Sequence, residues 1–205
     1  VRDLCPKPAS KSMSSIYSKL KSVVLGDITD YSIVERIFNE YEIDTCFHLA
    51  AQTIVSVAKR SPLSTFESNI KGTWNVLEAA RNSRTVERVI VASSDKAYGE
   101  PVKLPITESH LLLASYPYEA SKACAEILAH TYFETYGLPV AVARCSNVYG
   151  GRDLNFSRIV PDTVRLELQD KDPIIRIEIV INNGRIILIV ISKGRIIRIR
   201  GKIRI

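Results

Sequence analysis

Three short apolar runs, 45–49, 86–92 and 139–144, constrain this chain more than any other feature. Between them lie segments with helical spacing. In 31–41, Ile33, Ile37 and Phe38 fall on one face behind Asp30, a candidate N-cap. Residues 62–82 carry a proline near the first turn, and 117–136 end at Gly137. A further apolar run, 21–25, reads as a strand ending at Gly26-Asp27. Apolar strands alternating with amphipathic helices predict a parallel sheet covered on both faces, the doubly wound α/β arrangement. Ligands bind such sheets beyond the carboxyl ends of their strands.

Small and polar residues stand at each of those ends. Ala50-Ala51-Gln52 follow the first run, Ser93-Ser94-Asp95-Lys96 the second and Cys145-Ser146-Asn147 the third. Small side chains let a ligand approach the backbone, and the polar ones can contact it. Tyr118 and Lys122 are spaced i, i+4 and share a helix face. A nearby ammonium favours the phenolate, so Tyr118 could act as a base near neutral pH. Ser94 could hold the same substrate hydroxyl. A Tyr-x3-Lys pair alone is weak; with a serine ending the previous strand and Asn147 after the next, it is a strong signal.

The remaining features exclude several classes. The net charge is +6, but residues 174–205 hold 8 of the 28 basic residues and 1 of the 22 acidic ones. The body is therefore close to neutral, and no nucleic-acid partner is expected. No 18-residue stretch is free of charge, so no membrane-spanning helix is expected. Cys5, Cys46, Cys124 and Cys145 have no CxxC spacing. They read as reduced, buried thiols of a cytoplasmic protein, not as a disulfide or zinc framework. His48 reads as a satisfied core residue, and no histidine pair has metal spacing, so no metal is expected. Trp74 reads as core or interface. The last 32 residues include 14 isoleucines and read as a low-complexity Ile/Arg tail of short strands, with hairpin turns at 182–184 and 192–194.

Residues 1–173 resemble the extended short-chain dehydrogenase/reductases that act on nucleotide sugars. The matching segments are VVLGDITD (23–30), FHLAAQ (47–52), ESNIKGTWNVLEAAR (67–81), VIVASSDKAYGE (89–100), PYEASKACAE (117–126) and RCSNVYGGRDLNFSRIVPDTVR (144–165). The 4,6-dehydratases of this family carry an acidic pair, Asp-Glu, after the serine or threonine, where its epimerases usually have small, non-acidic residues. CDP-glucose 4,6-dehydratases instead carry Asp-Lys, as Asp95-Lys96 do here. The resemblance implies a Rossmann-like fold, NAD as cofactor and a nucleotide-sugar substrate. It further implies a homodimer formed through helices 62–82 and 117–136. Tyr118 would take the proton of the sugar 4-hydroxyl, and the 4-ketone would acidify the C5 hydrogen. Lys96 would then serve as C5 base and Asp95 as the acid that releases the 6-hydroxyl as water. Asp27 and Ile28 would border the adenine, and Leu49, Ala50, Ala51 and Gln52 the pyrophosphate and nicotinamide side. Asn69 would help position the Tyr118–Lys122 pair, with Lys122 also on the nicotinamide ribose. Ser94, Asn147 and Arg158 would contact substrate, Arg158 through phosphate.

The chain departs from the family pattern at both ends. It contains no GxxGxxG, whose backbone N–H groups approach the pyrophosphate. Dinucleotide affinity is therefore expected to collapse, and the chain reads as an inactive internal fragment of an enzyme. Its expected parts are a partial dinucleotide-binding domain (1–150), the start of a substrate-binding region (151–173) and the tail (174–205). Arg2-Asp3 would lie by the adenosine ribose and do not decide NAD against NADP. Two other readings stay open: a nucleotide-sugar 4-epimerase, and a non-catalytic Rossmann-like binding module.

Overall fold

The computed structural model describes residues 22–101, 104–148, 150, 156 and 158–171, and the strands at 181–182, 185–192 and 195–201. The chain forms two compact units, Val1–Ser146 and Asn147–Ile205.

The first unit is built on a parallel sheet of β1 (Thr45–His48), β2 (Arg88–Ser94) and β3 (Val140–Cys145), in that order. His48 pairs with Val91, and Ser94 with Cys145. Strands β2 and β3 thus end level, while β2 outruns β1 by three residues. The loop leaving β1 opens beside those three residues, at the carboxyl edge where such sheets hold ligands.

Helix α1 (Tyr31–Glu40) starts where the Asp30 carboxylate accepts the Ser32 N–H at 3.0 Å. It buries Val34 and Phe38, one turn apart. Helices α2 (Val55–Arg60), α3 (Pro62–Phe66) and α4 (Gly72–Asn82) connect β1 to β2, and α5 (Pro117–Tyr136) connects β2 to β3. Gly137 closes α5 in the left-handed conformation (φ 66°), donating its N–H to Phe133 O. Leu77 of α4 and Val89 and Val91 of β2 are almost wholly buried in one core cluster with residues of α1 and α5, each worth roughly 1.5–3 kcal/mol. Ala79, Ala80 and Ala129 keep the helices close to the sheet.

Several expectations need correction. The strand expected over 21–25 does not form within 22–25. An extended segment becomes a strand only when a neighbour takes its N–H and C=O groups, and no described strand pairs with it. The helix expected over 62–82 is not uniform: a π-helical turn, Glu67–Lys71, separates α3 from α4. Helix α2 was not foreseen. Strand β2 begins at Arg88 rather than 86, because the N–H groups of Glu87 and Arg88 both turn to Asp44 O. The thiols are free but not uniformly buried: Cys46 and Cys124 are half-buried, and Cys145, at the open end of β3, is exposed. Cys5 and Arg2-Asp3 lie outside the described residues. Trp74 is 43% exposed, so the core half of its expected role does not hold.

In the second unit, α6 (Ile159–Glu167) is followed by the antiparallel strands β4 (Ile181–Asn182), β5 (Arg185–Ser192) and β6 (Arg195–Gly201). These match the hairpin pattern of the tail. Their turns, 183–184 and 193–194, lie outside the described residues. Among the described residues, no helix is long and apolar enough to cross a membrane.

Candidate active site

Two helices and two strand ends converge at the carboxyl edge of the first unit. Lys122, on the buried face of α5, donates its ammonium to Ala92 O of β2 at 2.7 Å. Burial lowers its pKa below the ordinary lysine value, and the Glu126 charge one turn away opposes that shift. Tyr118, one turn before Lys122, is half-buried.

Asn69 supplies the link between the two sides. The π-helical turn carries its side chain inward, to 2% exposure. Its Oδ1 accepts the Gln52 N–H at 2.7 Å, and its Nδ2 donates to Gln52 O at 3.0 Å and Ser121 Oγ at 2.9 Å. Ser121 Oγ donates in turn to Tyr118 O at 2.7 Å. Asn69 therefore joins the loop after β1 to the first turn of α5. It reaches the backbone of Tyr118 through Ser121, a residue the sequence reading missed although it sits three residues after Tyr118. The Gln52 side chain folds back on its own loop, with Oε1 accepting the Ile54 N–H at 2.6 Å. Leu49 and Ala50 are exposed, and Ala51 is half-buried.

Ser94 caps a 3-10 turn, Asp95–Tyr98. Its hydroxyl accepts the Lys96 N–H at 3.2 Å and donates to Asp95 Oδ1 at 3.1 Å. Asp95 is half-buried and Lys96 exposed, so the two sit side by side just past β2. A cleft of about 550 Å³ opens here, with Asp95, Thr107 and Arg144 in its wall.

Asp27 lies before α1, its carboxyl held below the ordinary range chiefly by the Thr29 N–H. Ile28 O accepts from the buried Asn75 of α4 at 2.9 Å. Asn147 and Arg158 belong to the second unit, where Arg158 donates to Val148 O at 3.4 Å. His48 is buried and its Nε2 lies 2.9 Å from Thr73 Oγ1. The Thr73 hydroxyl hydrogen is already given to Asn69 O at 2.6 Å, so His48 Nε2 must be the donor. Among the described residues, no three His, Cys, Asp or Glu side chains gather as metal ligands.

A parallel sheet with a Tyr-x3-Lys helix beside the end of its second described strand is the arrangement expected of an extended short-chain dehydrogenase/reductase, and the comparisons with known proteins show that family. The family model that matches is GDP-mannose 4,6 dehydratase, over residues 8–177. The chain belongs to that family. It is 30% identical over 162 residues to the CDP-glucose 4,6-dehydratase of Salmonella typhimurium, covering 74% of this chain and 45% of the relative. It is 32% identical over 157 residues to the dTDP-D-glucose 4,6-dehydratase of Dictyostelium discoideum, covering 71% and 36%. Its fold matches DesIV, the dTDP-glucose 4,6-dehydratase of Streptomyces venezuelae solved with NAD and TYD bound. That match has a TM-score of 0.64 and 33% identity, over 72% of this chain and 44% of that one. The chain thus spans less than half the length of these relatives.

Proposed function

We propose that the protein carrying this chain is an NAD-dependent nucleotide-sugar 4,6-dehydratase acting on CDP-glucose. The observation that carries this is the placement of Asp95-Lys96 on a capped turn beside the Tyr118–Lys122 helix. Oxidation alone needs only the Tyr-Lys pair; loss of water needs an acid and a base in addition. The matching CDP-glucose and dTDP-glucose 4,6-dehydratases support the reaction class. The Asp95-Lys96 pair resembles that of CDP-glucose 4,6-dehydratases, which supports CDP-glucose as the substrate.

The residues present suit parts of a cofactor site, although the glycine loop that would approach the pyrophosphate is not among them. The small Ala50-Ala51 pair leaves the backbone open at the end of β1, the Asp27 carboxylate is exposed, and Lys122 offers a fixed cation. NAD, when bound, supplies reversible two-electron oxidation at the sugar C4. Tyr118 takes the proton of the 4-hydroxyl, and the Lys122 ammonium stabilises the phenolate that makes this possible. Ser94 turns its hydroxyl from Asp95 to the substrate and holds the 4-oxygen. With C4 a ketone, the C5 hydrogen is acidic, and Lys96 is the group assigned to take it. Asp95 is assigned the delivery of a proton to the 6-hydroxyl, which leaves as water. The net change is loss of one water, with C4 oxidised and C6 reduced. Leu49, Ala50, Ala51, Gln52 and Ile28 line the cofactor side. Asn147 and Arg158 are the residues that the family resemblance assigns to the nucleotide sugar.

We assign the enzyme to the cytoplasm, where free thiols such as Cys145 persist. We further propose a homodimer formed through α4 and α5, which expose Trp74, Phe133 and Tyr136. Substituting Tyr118→Phe tests the catalytic assignment: product formation from CDP-glucose should fall by at least a hundredfold while the fold persists. Retained turnover would remove Tyr118 from the chemistry.

A further inference from the structure

We infer that Arg144 is a positioning residue for the elimination half of this reaction, fixing through Tyr98 the turn that carries Asp95 and Lys96. The inference rests on the dehydratase reading above. Arg144 sits near the end of β3, paired with Ser93 of β2. Its Nε donates to Glu126 Oε2 of α5 at 2.6 Å. Glu126 is 4% exposed, and its other oxygen accepts the Ser93 hydroxyl in a very short hydrogen bond. Both carboxylate oxygens are therefore engaged. A buried carboxylate satisfied from two strands holds the guanidinium in one place.

From that fixed point Arg144 reaches the catalytic turn. Its Nη1 donates to Tyr98 Oη at 2.7 Å and to Glu108 O at 3.1 Å. The guanidinium also lies over the Tyr98 ring, 4.9 Å from its centroid. Tyr98 is 6% exposed and ends the turn that Ser94 begins. Asp95 and Lys96 are thus held between a cap at one end and the Arg144 clamp at the other. The Glu108 contact ties a further part of the lining of the same cleft to Arg144.

The hydrogen bonds that hold the oxidation groups are separate ones, although the Glu126 charge also acts on Lys122, and Tyr98→Phe is the variant that leaves the Arg144–Glu126 pair intact. Lys122 is tied to Ala92 O, and the Tyr118 turn to Asn69 through Ser121. Loosening the clamp should therefore slow water loss more than oxidation at C4.

The test uses Tyr98→Phe, which keeps the ring and deletes one hydroxyl, and Arg144→Lys, which keeps the charge and loses the fork. The first readout needs no activity. Amide hydrogen exchange at Lys96 and Gly99 should accelerate about tenfold in Tyr98→Phe, with amides of α5 unchanged, since one lost hydrogen bond is of that size; Arg144→Lys, which also loses the bond to Glu126 of α5, should accelerate the turn at least as much. Unchanged exchange at the turn would overturn the proposal. The second readout compares the two half-reactions on CDP-glucose with NAD. The variants should lose about tenfold in 4-keto-6-deoxy product while reduced nicotinamide absorbance builds up during turnover. Equal loss of both half-reactions would reduce Arg144 and Tyr98 to general structural residues. If the unsubstituted protein itself yields no such product, the dehydratase reading falls and takes the elimination role with it, whatever the exchange result.

Discussion

His48 is a charge the folded protein refuses. Burial, reinforced by the Lys122 ammonium, pushes its pKa down to about 4 from an ordinary value of 6.5. The unfolded chain takes up that proton near pH 6.5 and the folded one only near pH 4, so stability must fall as pH drops through this window. The loss amounts to about 3 kcal/mol when complete. Urea midpoints followed from pH 7 to 4 should show the decline, and His48→Gln, which keeps a donor for Thr73, should flatten it. A slope unchanged by the substitution would place the titration elsewhere. Asn69 is the second residue on which much depends. Asn69→Ala strands the Gln52 backbone groups and Ser121 together, and each orphaned group costs about 1–3 kcal/mol. A loss of about 3 kcal/mol in chemical unfolding is expected; under 1 kcal/mol would mean that water replaces the side chain freely. The sequence pointed to Asn69 through family likeness, but not to how it acts. The partner Ser121 is distant in sequence, and only folding brings the two together.

At the scale of elements, strands β1 to β3 were legible as apolar runs, though the run at 21–25 misled, and helix α5 was legible because periodicity, a leading proline and a closing glycine all agree there. The π-helical turn in 67–71 left no such trace. Its cause is tertiary: the loop after β1 takes the Asn69 side chain, and periodicity does not encode that demand. The 3-10 turn after β2 was read only as a row of polar residues, and its cap and clamp come from Ser94 and from Arg144 of a different strand. Gly99 ends this turn at φ 68°, and a Cβ there would lie 2.2 Å from Leu113 O. Both the backbone conformation and the space reject a side chain. Gly99→Ala should therefore lower the melting temperature by several degrees, roughly 1–3 kcal/mol, and spread disorder to Asp95-Lys96. A melting temperature within a degree of the unsubstituted protein would contradict this account of the turn.

For the whole molecule, the apolar side chains left on α4 and α5 argue for a second copy. A charge at Trp74, which is 43% exposed, should split a dimer without disturbing the core. Sedimentation at micromolar concentration should give a dimer for the unsubstituted protein and a monomer for Trp74→Glu; a monomer in both would remove the proposed interface. We propose that the chemistry lies at the carboxyl edge of the sheet, where the helix of Tyr118 and Lys122 packs beside the turn of Asp95 and Lys96. The most direct test of this central claim is product analysis with the gene product that carries this chain, incubated with NAD and, in parallel, CDP-glucose, dTDP-glucose, UDP-glucose and GDP-mannose. The alkali-induced absorbance of a 4-keto-6-deoxy sugar is expected with CDP-glucose. Conversion to a C4 epimer, with no keto sugar from any of the four, would contradict the roles given to Asp95 and Lys96.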